Sequence, residues 1–560
     1  MKQLTIARKI LQLVNHGCTW FTLANIIKLL AGYTLFSASL VTANPLESSV
    51  KSNQPAQLNV GNVPGTIVLS RFEIIGNQVI PESEIEQLLQ PYLFRPISFA
   101  ELMEIQQVIT KLYVERGYFT SGAYIPPQTI KNRTIKIKII QGSIEEIKIY
   151  GLKRLSPSYI RQRIAIATQP PLNQEKLLNA LQLLQLDPLI KNISAELSKG
   201  VNPGSSFLQV EVEEADHFFT ELTIDNYRTP NIGSFSRQLA LGHDNLLGFG
   251  DRLDVSYVNT NGSNSLENLS YAIPLGADNK ELKLTYSLNQ SSIITETFQD
   301  LDLASNNRYF NLSYRQPLVH TPSQELAVGL IFSNQYSQLS LMDIGFPNLA
   351  RGSDVEGITQ ISALRLFQEY SDRSDTHVFA LRSQFSIGID AFDATTNPDD
   401  IPDSIFLIWR GQAQYLKMLN SSSNILLRCD LQLADRGLVS LEQFSSGGAL
   451  SVRGYTQDRI LGDNGLFLSA ELINTVWSTP EGNIALELNP FFDFGRVWNS
   501  DELTSSTNTL ASFGLGLQFL IRDTLTARLD WGIPLIEDDD LPGNSLQESG
   551  VYFSVKFKPF

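Results

Sequence analysis

The chain has 560 residues, more than one small core needs, and a formal net charge of −15 from 43 Lys+Arg against 58 Asp+Glu. That acidic balance excludes the basic face of a nucleic-acid binder. Hydrophobic residues make up 42% and charged residues 18%, which excludes a disordered chain and a helical membrane bundle; Ser, Asn, Thr, Gln and Gly stand where charge is missing.

The first 43 residues read as a signal peptide. Lys2, Arg8 and Lys9 give a positive start, an apolar run covers residues 29–41, and Val41, Thr42 and Ala43 satisfy the small-residue cleavage rule. A membrane-anchor helix fits less well, because the uninterrupted apolar run is short and no stop-transfer charge follows. No later segment has the 18 or more apolar residues of a spanning helix. An exported chain that enters a membrane must therefore do so as strands. Of the two cysteines, Cys18 lies in the removed segment, so Cys429 is left without a disulfide partner. Residues 44–66 are rich in Asn, Pro, Ser, Gln and Gly and read as a linker. They carry no amphipathic stripe, so no plug helix is expected there.

From Phe72 an internal repeat begins. At a spacing of 75 residues Ile74 falls on Ile149, Gly76 on Gly151, Ile80 on Leu155 and Ile85 on Ile160. This predicts two small α+β modules, 67–143 and 144–215, each reading strand, helix, helix, strand, strand. In the first, Ser98 with Glu101 forms a capping box, and Ile105, Val108, Ile109 and Leu112 make a helical stripe that Gly117 ends. Ile135, Ile137 and Ile139 alternate with Lys136 and Lys138 as a half-buried strand. In the second, Leu177, Leu178, Leu181 and Leu184 form the stripe.

These residues resemble a known family. Gly117-Tyr118-x-Thr120, then Ile125-Pro126-Pro127-Gln128, then Gln141-Gly142 look like the first polypeptide-transport-associated (POTRA) domain of two-partner secretion transporters, the haemolysin secretion/activation type. Residues 183–212 look like the second. The resemblance makes Tyr118, Tyr124 and Gln128 candidate substrate contacts, with a structural role the plainer reading of each.

From residue 216 to 560 short segments of strict alternation recur between Gly, Asn, Asp and Ser clusters. Phe513, Leu515, Leu517, Phe519 and Ile521 oppose Ser512, Gly514, Gly516 and Gln518; Leu525, Ala527, Leu529 and Trp531 oppose Arg528 and Asp530. A soluble β-sandwich also alternates. Charges on the polar face suit a wet lumen, and the chain ends on a strand. About sixteen such segments predict a mostly β chain whose second half is a 16-stranded antiparallel transmembrane barrel, closed because lipid leaves no backbone group room to go unpaired. The terminal Phe560 resembles the signal that outer-membrane barrels present to their insertion machinery, although Pro559 sets it out of phase with Val551, Phe553, Val555 and Phe557.

Residues 437–465 are too long for a hairpin turn. Within them Val452, Arg453, Gly454 and Tyr455 resemble the tip motif of the long loop in the outer-membrane assembly-factor superfamily. There the loop folds back into the lumen and its arginine meets an acidic residue of a wall strand. Phe492, Asp493 and Gly495 look like the wall partner. An Arg–carboxylate contact is bidentate and orientationally strict, so the expected role of Arg453 is to latch the loop inside the pore. The plainer alternative is a solvated loop arginine beside an unrelated lumenal carboxylate.

No His-Glu-x-x-His, Walker loop or Gly-x-Ser-x-Gly occurs, and the five histidines lack ligand spacing. No catalytic residue, cofactor or metal is expected; the acidic run from Glu537 to Asp540 reads as a solvated outer loop. The resemblance implies a monomeric pore in the outer membrane of a Gram-negative-type bacterium. Its modules would lie in the periplasm, its substrate being an unfolded exoprotein of the β-helical adhesin or haemolysin type. Two other readings are a barrel-assembly or import relative of the same superfamily and a passive porin.

Overall fold

The computed structural model describes residues 65–559 apart from 296–300, 343, 346–349, 399–400, 501–507 and 538–544. The signal peptide, nearly all of the linker with its expected lack of a plug helix, most of the acidic run at 537–540 and Phe560 lie outside the described residues. The chain divides after Ala215 into two units.

The first unit holds both repeats. In the first module Arg71–Ile75 runs parallel to Thr134–Ile140, which pairs antiparallel with Gly122–Tyr124. Helices α1 (Glu82–Leu89) and α2 (Phe99–Glu115) cover the sheet. Ser98 Oγ accepts the Glu101 amide at 3.3 Å while Glu101 accepts the Ser98 amide at 2.7 Å, which completes the capping box. Ile85, Ile105, Ile109, Tyr113, Ile135 and Ile137 form the core; Val108 and Leu112 are half-buried beside it. In the second module Ser143–Tyr150 is parallel to Ser205–Glu214, and Ile190–Lys199 closes the other edge. Helices α3 (Pro157–Ala167) and α4 (Gln174–Gln185) bury Ile160, Ile164, Leu177, Leu181 and Leu184 against it. The repeated glycine has a physical reason. Gly76 and Gly151 have φ of +87° and +85°, and a Cβ there would meet the carbonyl oxygens of Ile139 at 3.0 Å and Val212 at 2.3 Å.

The second unit is a closed barrel of sixteen antiparallel strands. In order they are β1 (Phe218–Asp225), β2 (Ser236–Asp244), β3 (Arg252–Asn259), β4 (Ser263–Leu275), β5 (Lys280–Ser292), β6 (Leu303–His320), β7 (Gln324–Leu341) and β8 (Ile358–Arg373). The rest are β9 (His377–Ile389), β10 (Leu407–Asn420), β11 (Ser423–Ala434), β12 (Asn464–Ser478), β13 (Ile484–Trp498), β14 (Thr509–Ile521), β15 (Leu525–Pro534) and β16 (Val551–Phe557). A two-residue strand, Ile344–Gly345, lies between β7 and β8 and pairs with the end of β7. Closure is made by β16 on β1, from Ser554 opposite Asp225 to Phe557 opposite Leu222.

Period-two alternation gives the wall its two faces. On β14 Phe513, Leu515, Leu517 and Phe519 point out and are exposed, while Ser512 and Gln518 point in and are fully buried. On β15 Leu529 and Trp531 are exposed and Asp530 is buried. No described helix is long and apolar enough to cross a membrane; the apolar outer belt is carried by strands. Turns such as 321–323, 374–376, 421–422 and 522–524 are short at the end where the chain enters. The connections at the other end are longer, the arrangement of outer-membrane barrels.

Candidate functional site: a loop held inside the barrel

The longest of these connections follows the eleventh strand. Residues 435–463 turn inward through a short 3₁₀ turn, Ser440–Glu442, and a small hairpin of Phe444–Ser446 on Ile460–Gly462. Phe444, Val452, Tyr455 and Ile460 make an apolar cluster with Phe467, Val497 and Leu510 of the wall. That burial fixes the loop body and aims its tip at β12–β16.

Arg453, at the tip, is 1% exposed and is the largest fully buried side chain described. Its Nε donates to Asp493 Oδ2 at 2.7 Å and its Nη2 to Asp493 Oδ1 at 3.0 Å; its backbone N–H reaches the same carboxylate at 3.2 Å. The third nitrogen, Nη1, donates to Glu471 Oε2 at 2.8 Å and lies 3.5 Å from Asp530. Arg528 closes the network, donating to Glu471 at 2.9 Å and to both oxygens of Asp530. Ser469 Oγ donates to Asp493 at 2.7 Å. Two guanidiniums and three carboxylates from β12, β13, β15 and the loop thus satisfy one another away from bulk water. A fork with several fixed donors can do this and a lysine cannot.

The residues of the expected wall element fall on both faces of the strand, as alternation requires. Phe492 points outward and is 48% exposed, because it lies one strand position from Asp493. Phe491 is two positions away, shares the lumenal face and is buried, and its ring lies 3.3 Å beneath the Arg453 guanidinium. The wall element that meets the loop is therefore Phe491, Asp493 and Gly495.

The tip also needs a seat without side chains. Gly454 has φ +102°. A Cβ on Gly532 of β15 would meet the Gly454 nitrogen at 2.5 Å and the Arg453 carbonyl carbon at 2.7 Å; one on Gly550 would meet Gly532 O at 2.0 Å. A Cβ on Gly495 would strike Ser446 Oγ at 2.2 Å and Val452 Cγ2 at 2.7 Å. Val452 is fully buried against that gap. Tyr455 Oη lies 2.9 Å from Ala511 O and 3.0 Å from Ile536 O. Tyr552 of β16 accepts the Gly454 amide at 2.9 Å and donates to the Tyr455 carbonyl. Gln457 N donates to Gln547 Oε1 at 2.8 Å.

Glu471, Tyr552, Gln547 and the glycine seat were not among the sequence candidates. Period-two phasing could have flagged Glu471, a charge on the inner face of an alternating strand. Nothing local marks the other residues, which meet the tip only through barrel closure.

The three candidates in the first module have different surroundings. Gln128 accepts Lys136 N at 2.8 Å and donates to Lys136 O at 2.7 Å, so its amide stands in for a strand backbone. Tyr118 packs on the core at 6.2 Å from Tyr113. Tyr124 ends the edge strand Gly122–Tyr124. Gln141, part of the same signature, donates to Gly76 O at 2.7 Å. Among the described residues no group of three or more His, Cys, Asp or Glu side chains could hold a metal.

Comparison with known proteins follows this architecture closely. Residues 67–142 match the POTRA domain of ShlB type, and residues 204–519, more than half of the chain, match the haemolysin secretion/activation protein family ShlB/FhaC/HecB. The heme/hemopexin transporter protein HuxB of Haemophilus influenzae (strain 86-028NP) is 21% identical over 80% of this chain and 80% of its own length. The outer membrane transporter CdiB of Dickeya dadantii is 22% identical over 76% and 75%. The solved structure of CdiB from Escherichia coli superposes with a TM-score of 0.70 at 19% identity, covering 95% of this chain and 98% of that one. The chain belongs to the haemolysin secretion/activation protein family, as an outer-membrane barrel with periplasmic POTRA domains at its N-terminal side.

Proposed function

We propose that this chain captures one specific exoprotein in the periplasm through its POTRA modules and passes it through the barrel to the cell surface without ATP. The loop tied inside the lumen by Arg453 carries this reading. A passive channel has no use for a movable occluding element, whereas a translocator must close when idle and open for a chain. Capture is a matter of exposed backbone. The sheets have edge strands at Arg71–Ile75 and Ser143–Tyr150, besides Gly122–Tyr124 and Ile190–Lys199, where the side chains of Thr110 and Gln185 already take edge backbone groups; an extended segment adds to an edge by β-augmentation. The periplasm supplies no nucleotide, so binding at the entrance and folding of the passenger outside supply direction.

The chain acts as a transporter rather than an enzyme, as a monomer seated in lipid by the barrel-insertion machinery. Its partner is an unfolded exoprotein of the β-helical adhesin or haemolysin type. HuxB bears the name of a heme/hemopexin transporter and CdiB that of an outer membrane transporter, and a cargo secreted by this chain would follow that pattern. The test is secretion of an exoprotein encoded beside this chain, with photo-crosslinkers placed across residues 120–150. Secretion that needs the chain, with crosslinks to the passenger in transit, is expected. Equal secretion without the chain would overturn the proposal.

A further inference from the structure

The loop makes a second ionic contact, at a different part of the wall and with its charges reversed. Glu442, in the 3₁₀ turn of the descending limb, faces Arg365 of β8. Arg365 Nη2 donates to Glu442 Oε1 at 2.5 Å and Nη1 to Oε2 at 3.0 Å, a fork-to-fork pair whose side chains are 9% and 7% exposed. Two neighbouring strands aim the arginine. Its Nε donates to Ser333 of β7 at 3.0 Å and its Nη1 to Ser386 of β9 at 3.2 Å. Glu442 is aimed as well. Its Oε1 accepts Gln335 of β7 at 3.1 Å, and its backbone carbonyl accepts Gln432 of β11 at 2.9 Å. Beside it Leu438 and Val439 are fully buried with Ile361, Ala363, Phe406 and Ile408.

We propose that Glu442 and Arg365 are a second positioning pair for the occluding loop, so that the loop is a strap fastened at its tip and at its descending limb. The inference rests on the pore reading above. Its physical content lies in the opposite polarities. At the tip the loop supplies the cation and the wall the carboxylates; at the descending limb the loop supplies the carboxylate and the wall the cation. A basic residue of a passing chain can compete with Arg453 for Asp493 and Glu471, and an acidic one with Glu442 for Arg365. Neither alone frees both the tip and the descending limb. An accidental pairing of lumenal charges would not need Ser333, Ser386, Gln335 and Gln432, drawn from three strands, to fix both partners.

The test is single-channel recording of the full chain in planar bilayers, with melting in detergent to show that each barrel is folded. E442Q and R365Q should each raise the open fraction at least about tenfold, since each strands a buried charge. The double variant E442Q/R365Q should open no more than the worse single variant, because the pair is then lost as a unit. E442Q combined with R453A should exceed either alone. The loop variant E442Q leaves every wall residue in place, so it remains informative if R365Q fails to fold. An open fraction for E442Q within twofold of the parent, or effects of E442Q and R365Q that simply add, would overturn the second fastening. The absence of a channel from the parent and from every variant alike would overturn the pore reading and the strap together.

Discussion

Replacing Arg453 by alanine should release the loop tip while leaving the barrel closed. The substitution removes two hydrogen bonds to Asp493 and one to Glu471, and leaves three carboxylates to share Arg528. Breaking a buried pair by deleting one partner costs ~3–5 kcal/mol, because the stranded charge remains desolvated. At about 1.4 kcal/mol per factor of ten, the balance between docked and released tip shifts by roughly two to nearly four powers of ten. Arg453→Lys should recover little of this, since a single ammonium cannot reach Asp493 and Glu471 with the geometry of the fork. Planar-bilayer recording should find long open states in both variants. A loop that no longer holds its place cannot organise the lumen around a threading chain, so secretion of the partner should be lost while the barrel still inserts. Undiminished secretion by an inserted R453A barrel would remove the latch from the mechanism.

Three further outcomes are expected. Gly532→Val should unseat the tip although every charge is kept, because a Cβ there meets Gly454 N at 2.5 Å; its conductance should resemble that of R453A, and a closed channel would show that the seat is not needed. Tyr552→Phe leaves the Gly454 amide and the Tyr455 carbonyl without their partner, about 1–3 kcal/mol for each buried group, and should give brief openings where R453A gives long ones. In the first module the Ser98 backbone N–H and the Arg95 guanidinium hold the Glu101 carboxyl at about 2. Its folded pKa is below the unfolded value near 4.3, so its stabilisation is complete above about pH 4.5 and fades as pH falls toward 2. The protection factors of the α2 amides, taken against the intrinsic exchange rate at each pH, should therefore fall over that window in the parent. Glu101→Gln should show a weaker dependence there, and an identical profile in the two would refute the assignment.

Much of this was legible in the sequence because it obeys short periods. The module helices follow from a stripe every three or four residues and a Ser98–Glu101 box, and the wall from strict alternation, as in residues 512–521. The loop was legible as a length too great for a turn. What surrounds Arg453 was only partly so. Asp493 phases onto the inner face, which by alternation sends Phe492 outward and Phe491 inward; that the Phe491 ring lies under the Arg453 guanidinium is visible only in the fold. Glu471, Tyr552 and Gly532 meet the tip, and Glu442 meets Arg365, only because the loop folds back across the assembled wall. Glu471 and Tyr552 lie 18 and 97 residues from the tip residues they bond, and no local pattern encodes such a distance.

The chemistry of the fastenings suits an element that must both stay and leave. An apolar plug of the same size would dock with a free energy proportional to its buried area and would resist hydration. The ionic fastenings behave otherwise. Docked, Arg453, Asp493, Glu471, Arg365 and Glu442 give up water and regain the loss through close pairing; released into a wet lumen, each recovers its hydration. The net preference is a small difference between large opposing terms, while the geometric demand of each fork stays strict. A loop so held is accurately placed at modest net cost to displace. On the proposed function, the apolar cluster of Phe444, Val452, Tyr455 and Ile460 would set how far the resting equilibrium lies toward closure, and a chain entering the pore would need to supply only that margin.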